Sequence, residues 1–266
     1  MNAPIEPSST SDPIRQGPAE NRCGAVIETG ATGGAEGAII VDDRIVAHDR
    51  LPDGERSARG LIPMLDRLIR STGRSPGDLD WLGLTLGPGS FTGLRVGITF
   101  AKMLALAGDV RLVGVDSFEP YERWYRDQVA AGVEPAGRFV TLLDAQRRQF
   151  HLRSIEIFAE GDASDDAAPT TETPTSDVRI VDASTCGEEL RRGDRVGGAV
   201  ADRLDPELLT RTGATLVAPA GRSLPFESLV SLCIERERRG ETIPGHRLLP
   251  RYGRASAAEE KRRERH

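Results

Sequence analysis

The chain has 266 residues and sets 35 Lys and Arg against 41 Asp and Glu, a formal net charge of −6. That length holds one large domain or two small ones, and the acidic balance argues against a broad surface for nucleic-acid phosphates. Three scattered cysteines (Cys23, Cys186, Cys233) and four histidines without metal-ligand spacing indicate neither a disulfide framework nor a metal motif. With no apolar run of membrane-spanning length and no signal core, the expectation is a soluble cytoplasmic protein.

Residues 1–21, rich in Pro, Ser and Glu, read as a disordered tail. Cys23 to Thr29 is a first strand, followed by a Gly-rich turn from Gly30 to Gly34. A second strand covers Gly37 to Val41, and Asp42-Asp43 turns into a third at Arg44 to Leu51, which predicts an antiparallel meander. Leu61, Leu65, Leu68 and Ile69 then repeat at helical spacing, with Pro63 assigned to the first turn and Ser71-Thr72-Gly73 as the stop. Trp81 to Leu86 is an apolar strand ended by Gly87-Pro88-Gly89. From Phe91 the period is helical, with Ser90 or Thr92 as N-cap and Gly108 at the expected stop. A strand at Arg111 to Val115 and a helix over Phe118 to Ala131 complete a β-β-β-α-β-α-β-α order.

The helix after Phe91 carries Gly93, Gly97, Ala101 and Ala105 at intervals of four, so they share one stripe. Each interior glycine costs about 1 kcal/mol of helix stability relative to alanine, which implies close approach of another backbone. Leu94, Val96, Ile98, Phe100 and Leu104 cover other faces, so the helix packs on more than one side. The loop before it is spaced GxGxxxG, one residue off the dinucleotide fingerprint, and no P-loop Gly-Lys-Ser/Thr follows. Ser90 lacks the GxSxG spacing of a nucleophile elbow. A tight strand-to-helix turn accounts for the loop better than a phosphate cradle does.

A second, fainter unit starts near Arg138. Phe139 to Asp144 and Phe150 to Phe158 are strands joined around Gln146-Arg147-Arg148, and residues 160–177 form an acidic, Thr/Ser/Ala/Pro-rich insertion. Strands at Arg179 to Val181, Asp194 to Val196 and Thr215 to Val217 precede a helix from Phe226 to Arg239. Gly197-Gly198-Ala199 fits an ordinary turn or an adenosine-type loop. The expected division is therefore a lobe at 22–135, a smaller lobe at 136–254, and a polar tail at 255–266 with a basic end.

The string GPGSFTGLRVGITFAKMLA, Gly87 to Ala105, resembles the hallmark segment of the TsaB family of tRNA threonylcarbamoyladenosine biosynthesis. Asp144-Ala145-Gln146-Arg147-Arg148-Gln149-Phe150 and Pro250-Arg251-Tyr252-Gly253-Arg254 are similar to two further family segments. The resemblance implies an α/β fold. Its first part would be a ribonuclease-H-like lobe of the actin, sugar-kinase and Hsp70 superfamily, and its second a smaller, degenerate α/β lobe. It also implies an accessory subunit that activates a TsaD-like catalytic partner, completed by a TsaE-like ATPase, with tRNA reached through the complex. ATP and metal would belong to those partners, with no cofactor held by this chain.

The catalytic relatives bind metal through HxxxH on the first helix, and Arg56 to Pro63 holds no histidine there. Ser57-Ala58-Arg59 also replaces a His-Ser-Glu triplet common in TsaB proteins. Glu28-Thr29-Gly30 stands where Asp-Thr-Ser is more usual. With Gly89 and Ser90 it makes a weak candidate phosphate turn, the basis of a rival reading as a small nucleotide hydrolase or kinase. The resemblance places the partner interface on the small-residue stripe, facing outward: Gly93, Leu94, Gly97, Ile98, Ala101 and Ala105, with Leu61 and Leu65 beside it. A homodimeric scaffold is the third reading.

Overall fold

β1 (Cys23–Glu28) is buried at every position. Successive side chains of a strand point to opposite faces, so a run buried at every position, apolar up to Ile27, belongs in the middle of a sheet covered on both sides. β1 is the centre of a five-stranded sheet ordered β3-β2-β1-β4-β5, where β2 is Glu36–Val41, β3 Arg44–Arg50, β4 Trp81–Thr85 and β5 Arg111–Val115. β1, β2 and β3 form the antiparallel meander, and β4 and β5 run parallel to β1. Asp42 and Asp43 both take left-handed φ values, 48° and 63°, as the two-residue turn between β2 and β3 requires.

The structure, a computed structural model, describes residues 22–31, 34–52, 55, 57–158, 177–220 and 224–253. The expected N-terminal tail, residues 160–176 of the insertion, Arg56, Arg254 and the C-terminal tail lie outside the described residues.

A second sheet is ordered β10-β9-β6-β7-β8, with β6 Gly137–Asp144, β7 Gln149–Ile157, β8 Arg179–Asp182, β9 Arg195–Gly198 and β10 Thr215–Ala220. The elements stack in layers around three cores. α1 (Ser57–Ser71) and α2 (Phe91–Ala107) cover one face of the first sheet through Leu61, Leu65, Ile98 and Ala101. α3 (Glu119–Ala130) and α5 (Phe226–Arg238) fill the space between the two sheets with Tyr121, Tyr125, Leu229 and Cys233. The far face of the second sheet is closed by short elements, among them α4 (Pro206–Thr212), capped by Asp205 and by Gly213 at φ 70°. The sequence reading did not include α4, since seven residues are too few for a period to show.

Two expectations need correction. α1 begins at Ser57, so Pro63 lies in its interior and not in its first turn; the Pro63 position is exposed, where a lost helical hydrogen bond can be replaced by water. The sheets divide between α3 and β6, but the chain does not divide with them. α5 packs on the first sheet, and buried Glu237 at its end is held by Arg22 and by Arg111 at 2.6 Å. Ile243 N–H donates to the Leu112 carbonyl and Leu248 enters the core under α2, so the second lobe expected at 136–254 gives its last quarter, from α5 on, back to the first.

Candidate functional site

Glu28 ends β1 with 2% of its surface exposed. Its Oε1 accepts from the Gly30 N–H at 2.5 Å and the Ala31 N–H at 2.7 Å, and the Thr85 hydroxyl donates to Oε2. Burial pushes the carboxyl up from its ordinary value, and these hydrogen bonds only partly offset that. The N–H groups a phosphate would take are therefore turned onto the protein's own carboxylate.

The second half of the weak phosphate turn closes on the first. Ser90 N–H donates to the Gly30 carbonyl at 2.7 Å, and a Cβ built on Gly89 would lie 2.8 Å from the same oxygen. Gly93 N–H in turn meets the Ser90 hydroxyl at 3.3 Å, which is the N-cap expected from the sequence. Glu28, Gly30 and Ser90 thus come together through hydrogen bonds, and Gly89 and Thr29 pack beside them against the Gly30 carbonyl and α2.

The small-residue stripe faces inward, which corrects the outward placement. A Cβ on Gly93 would overlap the Thr29 carbonyl oxygen, and one on Gly97 the Thr29 hydroxyl. Ala101 and Leu94 are fully buried, and Ile98, Leu61 and Leu65 nearly so. Ala105 is half-buried, with Gly245 packed beside it. The approaching backbone is the loop after β1, so these residues, as a set, are part of the interior of the chain.

The crevice at the carboxyl ends of β1, β4 and β5, the usual ligand position in open α/β sheets, is crossed by the chain itself. Arg251 N–H donates to the Leu86 carbonyl at 2.7 Å, Arg251 Nη1 lies 3.4 Å from Asp116 Oδ2, and Gly253 rests against the His151 ring. Beneath this strap, Arg153 of β7 donates to Glu122 at 2.6 Å and to Asp116 at 3.2 Å, its guanidinium 4.5 Å from the Phe118 ring centre. Arg153 is 5% exposed and Glu122 4%. A buried pair like this clamps the second sheet to the first lobe. Gly198 sits at φ 113° against the Leu142 backbone, so the Gly197-Gly198 run ends β9 as a tight turn. Among the described residues no group of three or more His, Cys, Asp or Glu is arranged to hold a metal ion, and no helix is long and apolar enough to cross a membrane.

The open feature lies on the opposite side of α2. A groove of about 440 Å3 runs between α1 and α2, lined by Leu61, Ile62, Phe91, Arg95, Val96 and Met103 among others. Ile62 is 56% exposed and Met103 59%, and Leu106, on the last turn of α2, is 91% exposed. Of the predicted interface residues only Leu61 reaches this groove. Sequence reading missed the rest because α2 is apolar nearly all round, and one helical period cannot tell a core face from a second apolar face. Phe91, Val96, Phe100, Met103 and Leu106 were the available signal, since they are more apolar surface than one inner face can bury.

A family model described as TsaD, tRNA N6-adenosine threonylcarbamoyltransferase, matches residues 54–175. The tRNA threonylcarbamoyladenosine biosynthesis protein TsaB of Escherichia coli K12 is 36% identical over 87 residues, 33% of this chain and 37% of that protein. TsaB of Bacillus subtilis 168 is 28% identical over 114 residues, 43% of this chain and 47% of that protein. A tRNA N6-adenosine threonylcarbamoyltransferase of Nitratidesulfovibrio vulgaris DP4 is 33% identical over 144 residues, 49% and 37% of the two chains. The matched stretches therefore span less than half the length of these relatives. Among solved structures, YeaZ from Pseudomonas aeruginosa superposes with a TM-score of 0.60 at 20% identity, over 87% of this chain and 99% of that one. The structural match shows a shared α/β fold. The resemblance to the TsaB family, with a stretch like that of the TsaD proteins, is supported by the sequence matches.

Proposed function

We propose that this chain is a non-catalytic accessory subunit in the formation of threonylcarbamoyladenosine on tRNA, and that it docks a TsaD-like catalytic subunit in the groove between α1 and α2. The observation that carries the reading is the groove itself, lined by apolar side chains of which Ile62 and Met103 are more than half exposed. Contiguous exposed apolar surface of this kind marks interaction sites. The similarity to TsaB proteins supports the pathway. Similarity to TsaD-type proteins over 54–175, the stretch that contains α1 and α2, supports a partner bearing a comparable helix pair.

In this reading ATP and metal are held by the TsaD-like and TsaE-like partners, and tRNA is reached through the assembly. The engaged N–H groups around Glu28 and the strap across the crevice favour it over a nucleotide hydrolase or kinase. The same groove would serve two copies of this chain when the partner is absent. The test is co-expression with the TsaD homologue of the same organism, read by size-exclusion chromatography with light scattering. Co-elution is expected for the wild type and its loss for Met103→Glu. Separate elution of the two wild-type proteins would overturn the proposal, and steady ATP hydrolysis abolished by Glu28→Ala would favour the nucleotide reading.

A further inference from the structure

One end of the groove carries a cluster assembled from two distant parts of the chain. The Tyr252 ring, from the strap, lies 4.9 Å from the Phe91 ring, at the start of α2. The Arg95 guanidinium sits 3.8 Å over Phe91, and Arg95 Nε donates to the Tyr252 hydroxyl at 2.9 Å. Arg95 and Phe91 both line the groove, and Arg95 is exposed. Among the described residues, no carboxylate pairs with it.

The physical state of this arginine is unusual for an exposed one. A surface arginine ordinarily loses rotamer freedom on binding, and that loss offsets much of the gain. Here one face is stacked on Phe91 and Nε is already hydrogen-bonded, so the ordering cost falls on folding and not on association. The two terminal nitrogens keep the planar fork that matches a carboxylate bidentately. Around it the groove is apolar, so an incoming helix would exclude water from the pair as it seats. Arg and Tyr at the edge of an apolar pocket are the residue types on which binding energy concentrates.

We propose that Arg95, held in place by Tyr252 and Phe91, is the polar anchor of the α1–α2 docking surface and takes a carboxylate carried on an apolar helix of the TsaD-like partner. This rests on the partner reading above and adds a chemical requirement to it: the docking helix presents an Asp or Glu beside its apolar face. The strap thereby has a second role, since the segment that fills the crevice also orients the anchor.

The experiment measures affinity for the host's TsaD-like protein by calorimetry at low and high salt, with thermal melting of each variant as a folding control. Arg95→Ala is expected to bind about 30-fold more weakly or worse, the loss typical of truncating one side of a desolvated charge pair. Arg95→Lys keeps the charge without the fork and should fall between the two. Tyr252→Phe keeps the stacking but frees Nε, and a several-fold loss is expected. Wild-type affinity should fall with salt more steeply than that of Arg95→Ala. Wild-type affinity in Arg95→Ala, alongside lost binding in Met103→Glu, would overturn the anchor and leave the groove standing. Wild-type affinity in both would overturn the groove reading and the anchor with it.

Discussion

The two faces of α2 are built from one unbroken stretch of sequence and do opposite things. On the inner face, Gly93 and Gly97 have no room for even a methyl group, because the Thr29 carbonyl and hydroxyl occupy the space. On the outer face, Met103 lines an open groove, and Leu106, three residues on, stands in solvent. Removing side chains lets the helix sit directly on the turn after β1, and that turn is itself organised by the buried Glu28 carboxyl. Leaving apolar side chains on the far face gains the monomer little. The contrast shows that a helix rich in apolar residues can have its fold function and its recognition function separated by half a turn.

The sharpest way to break this comparison is to fill the inner face. Gly97→Leu must displace Thr29 or lift α2, and overpacking of this kind costs about 1–3 kcal/mol, occasionally more. Leucine's better helix propensity returns at most about 1 kcal/mol. Urea denaturation should show the loss in the isolated chain, and a variant as stable as wild type would return the stripe to the surface.

A smaller effect is expected at the carboxyl under that face. Glu28 has its pKa raised by burial from 4.5, so the unfolded chain ionises this group at lower pH than the folded one does. Its stabilising contribution is complete below about pH 4.5 and is lost as pH rises through the folded value, at up to about 1.4 kcal/mol per pH unit. Glu28→Gln removes the titration and keeps acceptors for the Gly30 and Ala31 N–H groups. Urea midpoints followed upward from pH 4.5 should therefore fall less in the variant than in wild type. Parallel curves would show that Glu28 is ionised in the fold.

The outer face should give the smallest change in the monomer. Leu106→Gln is expected to move stability by no more than about 0.5 kcal/mol, as exposed substitutions usually do. A loss above 2 kcal/mol by the same urea assay would mean that Leu106 is covered in the free chain.

Much of the first lobe was legible in advance because its signals are local. Cys23 to Ile27 is apolar throughout, Asp42-Asp43 is a turn pair, and the period changes from two to 3.6 across Gly87 to Phe91. The N-cap at Ser90 followed from the same local rules. α4 was lost to its brevity, and the start of α1 to the polar residues before Leu61, which carry no period. The outer groove was illegible for a different reason, since Arg95 and Tyr252 are 157 positions apart and neither is unusual where it stands.

By itself the sequence determined the order of the elements of the first lobe, the lack of a histidine pair ahead of Pro63, and the fact that some backbone must press on Gly93 and Gly97. A missing Cβ states that something is near and does not state what. Only the tertiary structure decided that the neighbour is Thr29, that α5 and the strap return to the first sheet, and that Arg153 of the second sheet clamps Glu122 and Asp116. These are contacts between residues far apart in the chain. They are selected by how whole layers fit together, and local propensity carries no record of that fit.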